Sequence, residues 1–541
     1  MKVLVPALAA GTIAVGGGAA YYFLKVQPAQ DVANPISSFE ILPKETIAAG
    51  YLSFDEDTWR KANKFGTQQA RDLFISRVEQ IKSAASRETL SGEPLDFDQD
   101  IKPWLGSVTI AGVAVQEEGV EPASIVVIGI KDKLEALKFA TSQKDKAGSS
   151  AQVSQYKGVD IYEFTDNTNQ FLAVLDNHLV FSNVKSQVEA TIDVEQGADS
   201  ALTNPEVNQA LEQSITAANP VAAGFVNLPS LIEQVEKSSD SNTAASNEAI
   251  FADLKKYQAA AMSWEIEDQG FRFKNVIKHS FDQEWSFDPL PGKVISRFPE
   301  NTLALVHGGY LDQAWSLAVR QLESNSDSRN QLERFRREFS RATQLDLEQD
   351  VLSWMDGEFG LGVLPANDGV LAQIGFGGAL AIETSDQAKA SGTLDKFQTL
   401  AQSMGAQISN KQINGIEVTQ FGVPLQPALV NYGWLDNETL LLSLGESTAI
   451  SLSEATNSSV RQNSIYQSLT GTLPSLEKGS FYVNAEEFLA TARSSPTVSS
   501  ALAANPEMDA VLSSFQGLAM AADQPDSGTA IGEALLTFRQ P

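Results

Sequence analysis

Asp96-Phe97-Asp98-Gln99-Asp100-Ile101-Lys102-Pro103-Trp104-Leu105 returns 250 positions later as Asp346-Leu347-Glu348-Gln349-Asp350-Val351-Leu352-Ser353-Trp354-Met355. The first Asp, the Gln, the last Asp and the Trp stand at the same places. The spacing reads as a short helix that leads into a strand. Asp96 is placed to cap it, Gln99 stands where a capping box wants Glu or Gln, and the acidic first turn complements the helix dipole. Ile101, Trp104 and Leu105 form its apolar side, and Gly106 ends it. The Asp-x-Asp-x-Asp spacing also invites a calcium reading. A calcium loop needs Gly at its sixth position and a carboxylate at its twelfth, and Ile101 and Ser107 stand there instead.

Around these two anchors the chain repeats itself. Leu42-Pro43-Lys44-Glu45-Thr46 matches Phe298-Pro299-Glu300-Asn301-Thr302, and Tyr156–Ile161 matches Ile413–Val418. Leu175-Asp176-Asn177 matches Leu435-Asp436-Asn437, and Gly224–Asn227 matches Phe481–Asn484. Met520 and the closing strand Thr529–Arg539 match the last hairpin of the first copy. The expected layout is an N-terminal anchor at 1–26 and a tether at 27–40. A first lobe follows at 41–285, then a Pro/Gly linker at 286–296 and a second lobe at 297–541. Each lobe alternates helices with antiparallel hairpins, which argues an α+β class with two tandem homologous lobes.

Within the first lobe, residues 57–87 read as one long helix with Ala70, Leu73, Phe74, Val78 and Ile81 on one face. Tyr156–Phe164 reads as a half-buried strand, Phe171–Phe181 as a hairpin turning at Asp176-Asn177, and Pro205–Ser214 as a helix. Asp312–Arg341 takes the place of the long helix in the second lobe.

Composition bounds the chemistry. In 541 residues, 43% are hydrophobic and 20% charged, which marks a globular chain. Acidic residues outnumber basic ones 68 to 39, a net charge of −29 that repels phosphate backbones and argues against nucleic acid. The absence of cysteine removes disulfides, thiolate nucleophiles and Cys-type metal sites.

Val3–Leu24 is a run of 22 residues without a charge, bracketed by Lys2 and Lys25. At the helical rise it reaches ~33 Å, enough to cross a bilayer core. A cleaved signal peptide is the rival reading, but the residues after Leu24 make a poor cleavage site. The charge balance leans towards the bulk of the chain lying on the extracytoplasmic side, periplasmic or lumenal.

A Gly/Ala-rich anchor, an acidic cysteine-free body, a Leu-Pro-x-x-Thr strand start and the later Gly158-Val159-Asp160-Ile161 strand resemble a family of membrane-anchored cyanobacterial proteins containing a duplicated domain of unknown function. The resemblance implies membrane attachment, as a single-pass protein of periplasm or thylakoid lumen. It brings no catalytic residues.

No Gly-x-Ser-x-Gly elbow, Walker loop or His-Glu-x-x-His occurs. Gly375-Phe376-Gly377-Gly378 reads as a strand turn, and Ser154–Lys157 and Ser475–Lys478 lack companion motifs. His178, His279 and His307 each lack a counterpart in the other copy. The long helical regions carry clustered Arg and Lys, read first as solvated faces. No catalytic, cofactor-binding or metal-ligating residue is assigned and no cofactor is expected. The leading expectation is a non-enzymatic, membrane-tethered binding or scaffolding protein with an unidentified protein partner. A carrier of an apolar ligand comes second and a carboxylate-dependent hydrolase third.

Overall fold

The computed structural model describes residues 34–73, 75–76, 97–114, 123–136, 138, 151–164, 170–217, 220–238, 254–281, 289–323, 326–422, 428–454, 458–474 and 476–540. They form a mixed α+β protein with twenty strands, all of whose recorded pairings are antiparallel. Their contacts group into two compact units. One holds the described residues within 1–65 and 71–283 together with Gly528–Ile531. The other holds Gly66–Ala70 and those within 284–527 and 532–541.

The first unit contains β1 Thr46–Ser53, β2 Leu105–Val113, β3 Ala123–Ile130, β4 Ala151–Tyr156, β5 Val159–Phe164, β6 Gln170–Leu175, β7 His178–Ser182, β8 Ala222–Asn227, β9 Tyr257–Ile266 and β10 Gly270–His279. Their spatial order is β4-β5-β6-β7-β3-β2-β1-β8-β9-β10. The second unit contains β11 Ala304–Gly309, β12 Glu358–Pro365, β13 Phe376–Glu383, β14 Gln407–Ile413, β15 Ile416–Gly422, β16 Val430–Trp434, β17 Thr439–Leu444, β18 Ser480–Val483 and β19 Phe515–Asp526. The chain closes with β20, Thr529–Phe538. The order β14-β15-β16-β17-β13-β12-β11-β18-β19 repeats the first unit strand for strand.

Local geometry repeats with the topology. Thr46 and Thr302 each donate N–H and Oγ1 to the carbonyl of Pro43 and Pro299, at 3.0 and 2.6 Å in both places. Trp104 and Trp354 both follow a short π-helical turn, Phe97–Ile101 and Leu347–Leu352, and both precede a strand. Each indole N–H donates to the carbonyl four residues back, Asp100 at 2.8 Å and Asp350 at 3.1 Å. Both rings are buried. The tie holds the turn against the strand that starts within a few residues of it.

The core of the first unit lies between one sheet face and helices Lys185–Glu195 and Pro205–Ser214. Tyr51, Ala111, Ile125, Val127, Val180 and Phe225 meet Val188, Ile192, Val207 and Leu211 there. Each such side chain contributes roughly 1.5–3 kcal/mol when fully buried. In the second unit the matching cluster includes Leu305, Ala381, Leu441, Tyr482, Ala449 and Leu452. Val294 and Ile295 belong to that cluster, although the sequence reads 286–296 as linker.

Several sequence expectations are corrected. Tyr156–Phe164 is not one strand: Lys157 and Gly158 turn a hairpin between β4 and β5, with φ of 47° and 83°. Asn414 and Gly415 do the same between β14 and β15, at 50° and 87°. The run expected at 57–87 is broken. Helix Glu56–Ala62 ends before Gly66, whose φ of 79° no helix accepts, and Phe74, Val78 and Ile81 lie outside the described residues. Asp312–Arg341 is likewise two helices, Leu311–Glu323 and Ser326–Thr343. Gly106 does not end the capped turn but lies inside β2.

Asp96 lies outside the described residues. Asp346 caps its turn, with Oδ1 accepting from Gln349 N–H at 2.7 Å. The reciprocal partner is Asp350, which accepts from Asp346 N–H at 2.8 Å, rather than Gln349. The π-helical winding puts the fourth residue on, not the third, back over the cap. Asp346→Ala is expected to lower stability by ~1 kcal/mol, equally in chelator and in millimolar calcium. Thermal unfolding followed by tryptophan emission checks this. A strong calcium stabilisation of the parent that the variant loses would contradict it.

Candidate functional site

The densest group of titratable side chains lies in the second unit. His307 on β11 and Glu358 on β12 meet at 2.5 Å, with side chains 1% and 0% exposed. The other Glu358 oxygen accepts from Lys293 N–H at 2.7 Å. Burial pushes the Glu358 carboxyl up, but its hydrogen bonds to His307 and to backbone N–H groups outweigh this and hold it below its ordinary value. The Lys293 ammonium bonds Glu383 and Glu438, each at 2.9 Å, and Arg297 reaches Asp436 at 2.5 Å. Every acid here is already engaged, and the buried pair has no route to solvent. Such a cluster fixes the start of the second unit against its sheet; the one nitrogen in it left without a partner, His307 Nδ1, is buried out of reach of any substrate. The first unit has Tyr51 where the second has His307, and Ser107 on β2 where it has Glu358 on β12.

The other sequence candidates are likewise structural. His178 is buried at the β6–β7 turn, and burial pushes its pKa down to about 4. His279 packs against Phe281 at 5.0 Å. Lys157 pairs with Asp193 at 2.8 Å, and Ser475 lies outside the described residues. Gly375 turns the chain with φ 80°, and β13 begins at the next residue. Glu195 is held above its ordinary value, by desolvation and by Asp176, but it stands at an exposed helix end. Among the described residues no group of three His, Asp or Glu could hold a metal ion. Basic residues of the long helices are in part neutralised: Arg336 bonds Glu348 at 2.7 Å and Arg337 bonds Glu333 at 3.3 Å.

Two clefts are described. One of about 470 Å³ in the first unit is polar, with Lys44, Glu45, Glu233 and Lys237 on its walls. One of about 370 Å³ in the second is apolar, walled by Val370, Leu371, Phe421, Leu429 and Val430. Its one ionisable wall residue, Asp368, is spent on the start of helix Glu446–Glu454. It accepts from Glu446 N–H at 2.6 Å and from the Ser447 hydroxyl.

A further feature is the sheet face opposite the core helices. In antiparallel sheets, residues paired across strands point the same way. Three such rows cross β2, β1, β8, β9 and β10. They are Val108–Leu52–Ala222–Trp264–Phe273, Ile110–Gly50–Gly224–Met262–Asn275 and Gly112–Ala48–Val226–Ala260–Ile277. None of the fifteen positions is ionisable, in a chain that is 20% charged. Leu52, Phe273, Ile110 and Met262 are 38% to 57% exposed. The second unit repeats the arrangement with Leu361–Val306–Phe481–Met520 and Val363–Ala304–Val483–Leu518, again without a charge. Val306, Met520 and Leu361 there are 39% to 51% exposed. Exposed apolar area of this kind, kept clear of charge at matching places in both units, makes this face the candidate site.

The profile of a protein family of unknown function, DUF3352, matches residues 7–538. The chain belongs to that family. No curated protein matches it. Among solved structures it is similar to TP0453. Crystal form III gives 8% identity and a TM-score of 0.25, covering 49% of this chain and 84% of that one. Crystal form IV gives 8% and 0.24, covering 44% and 79%. At such scores the likeness says nothing about the role of this DUF3352 protein.

If the face serves binding rather than folding, its exposed residues are dispensable for stability. Ile110→Ser, Met262→Ser, Leu361→Ser and Met520→Ser are each expected to change stability by less than about 0.5 kcal/mol. Leu211→Ala, in the core, is expected to cost about 2–5 kcal/mol. Urea titration of each variant checks both figures, and losses above ~2 kcal/mol at the four exposed sites would make the face structural.

Proposed function

We propose that this DUF3352 protein is a membrane-tethered binding protein of the extracytoplasmic side, non-enzymatic, whose two units each present an apolar sheet face. The charge-free rows, repeated in both units, carry the reading. The face exposes side chains that contribute little to folding, and it excludes ions and strongly hydrated partners. The tether is Val3–Leu24, which lies outside the described residues; among those that are described, no helix is long and apolar enough to cross a membrane. A net charge of −29 speaks against nucleic acid as the partner.

The apolar cleft beside Val370 and Phe421 supports a second reading, a carrier of a small apolar ligand, since its volume lies at the lower end of ligand-binding cavities. The hydrolase reading has less support. The acids of the His307 cluster are engaged and buried or ion-paired, and Glu195, an exposed carboxyl held above its usual value as a general acid requires, lines neither cleft.

The full-length protein is expected to stay with membranes through an alkaline carbonate wash, and a chain beginning at Gln27 to remain in the supernatant. Release of the intact, unprocessed protein by the wash would contradict the tether.

A further inference from the structure

We infer that the apolar face of the first unit rests on the surface of a bilayer of net-neutral lipid, the same membrane that holds the tether. The inference depends on the tether proposed above and adds an occupant for the face.

Tether length supports it. Nine residues separate Leu24 from Asn34, where the described chain begins. Fully extended they span at most about 32 Å. Asn34 caps helix Pro35–Phe39, which packs through Phe39 on Tyr51 and Phe225 at the core side of β1 and β8. The tether therefore has one further layer, roughly 10 Å, to cross past the sheet before it meets the membrane under the opposite face. Five strands at about 4.8 Å make the face only about 19 Å wide. The whole face thus lies within reach of the membrane that the tether enters.

Side-chain chemistry selects the same occupant. At one end of the face Trp264 stacks on Phe273 at 5.4 Å and meets Trp59 edge-on at 6.5 Å. Aromatic side chains of this kind favour the water–hydrocarbon boundary. Beside them the charges are paired off, Arg60 with Asp57 at 2.5 Å and Lys61 with Asp268 at 3.7 Å. The face brings no cation, and the chain carries −29. An anionic headgroup would be repelled, so the lipid is zwitterionic or uncharged. Met262 and Ile110 supply the side chains that enter the boundary.

The test places the full-length protein in phosphatidylcholine vesicles and replaces the lipid with its acyl-brominated form, a short-range quencher of indole. The emission due to Trp264 is the difference between the parent and Trp264→Phe. Docking predicts that bromine removes more than half of this emission. Met262→Glu combined with Ile110→Glu should abolish the quenching with the circular dichroism unchanged. Should that pair fail to fold, Phe273→Ser should weaken the quenching in the same direction. Protein that resists carbonate but whose Trp264 emission ignores bromine keeps the tether and overturns the docking. Protein released by carbonate overturns the tether; the docking then stands only if Trp264 is still quenched when the released chain meets brominated vesicles, and falls otherwise. Trp264 that becomes shielded with rising protein concentration in lipid-free solution, and ignores bromine, assigns the face to a second copy and overturns the inference.

Discussion

The two-residue alternation of β1 and β11 governs the strands of both units. On β1, Ala49, Tyr51 and Ser53 point into the core and Gly50 and Leu52 point away. On β11, Leu305 and His307 point inwards and Val306 outwards. Each strand is central, paired on both sides, so its register fixes the facing of β2 and β8 or of β12 and β18. A slip of one residue would turn Tyr51 or His307 out and bring Gly50 or Val306 in. The Thr46 and Thr302 bonds back to Pro43 and Pro299 pin the start of each strand and so guard that register.

Within that common frame the two units differ at the buried spot held by Tyr51 in one and His307 in the other. Tyr51 and Ser107 fill the first unit's version with an aromatic ring and a hydroxyl. The second unit places an ionisable pair there, His307 and Glu358, and connects it through Lys293 to acids on β13 and the β16–β17 turn. Removing one member of a buried pair leaves the other uncompensated, so the pair specifies its own retention more than it adds stability. The outer face does not differ in that way. Ile110 and Leu361, and likewise Met262 and Met520, hold matching positions, and all four remain exposed.

Much of this was legible in the sequence. The strand order repeats along the chain, and the helix Pro205–Ser214 and the turn at Asp176 stand where spacing and residue type put them. The Asn414-Gly415 turn was also legible, since Asn-Gly between apolar runs is a strong hairpin signal, but alternation alone read through its first-copy counterpart as one strand. The breaks at Gly66 and after Glu323 escaped because the apolar period continues across them. The cap partner Asp350 escaped because three-residue spacing presumes α-winding. The apolar face could not be read at all. β2 and β9 carry apolar side chains on both faces, which in sequence looks like a strand buried on both sides. Only the cross-strand register shows that Ile110 and Met262 share a face, and only the packing shows that these two side chains are exposed there.

The absence of cysteine from the chain gives the central claim a direct measurement. Single cysteines at positions 110 and 262, and one at the exposed position 404, can be reacted in turn with a membrane-impermeant maleimide on opened native membranes and on detergent-purified protein. A binding face predicts that positions 110 and 262 react slowly in membranes and quickly once purified, while position 404 reacts equally in both. Equal reactivity of all three in membranes would contradict the account, because it would leave the charge-free face open to water where the protein works.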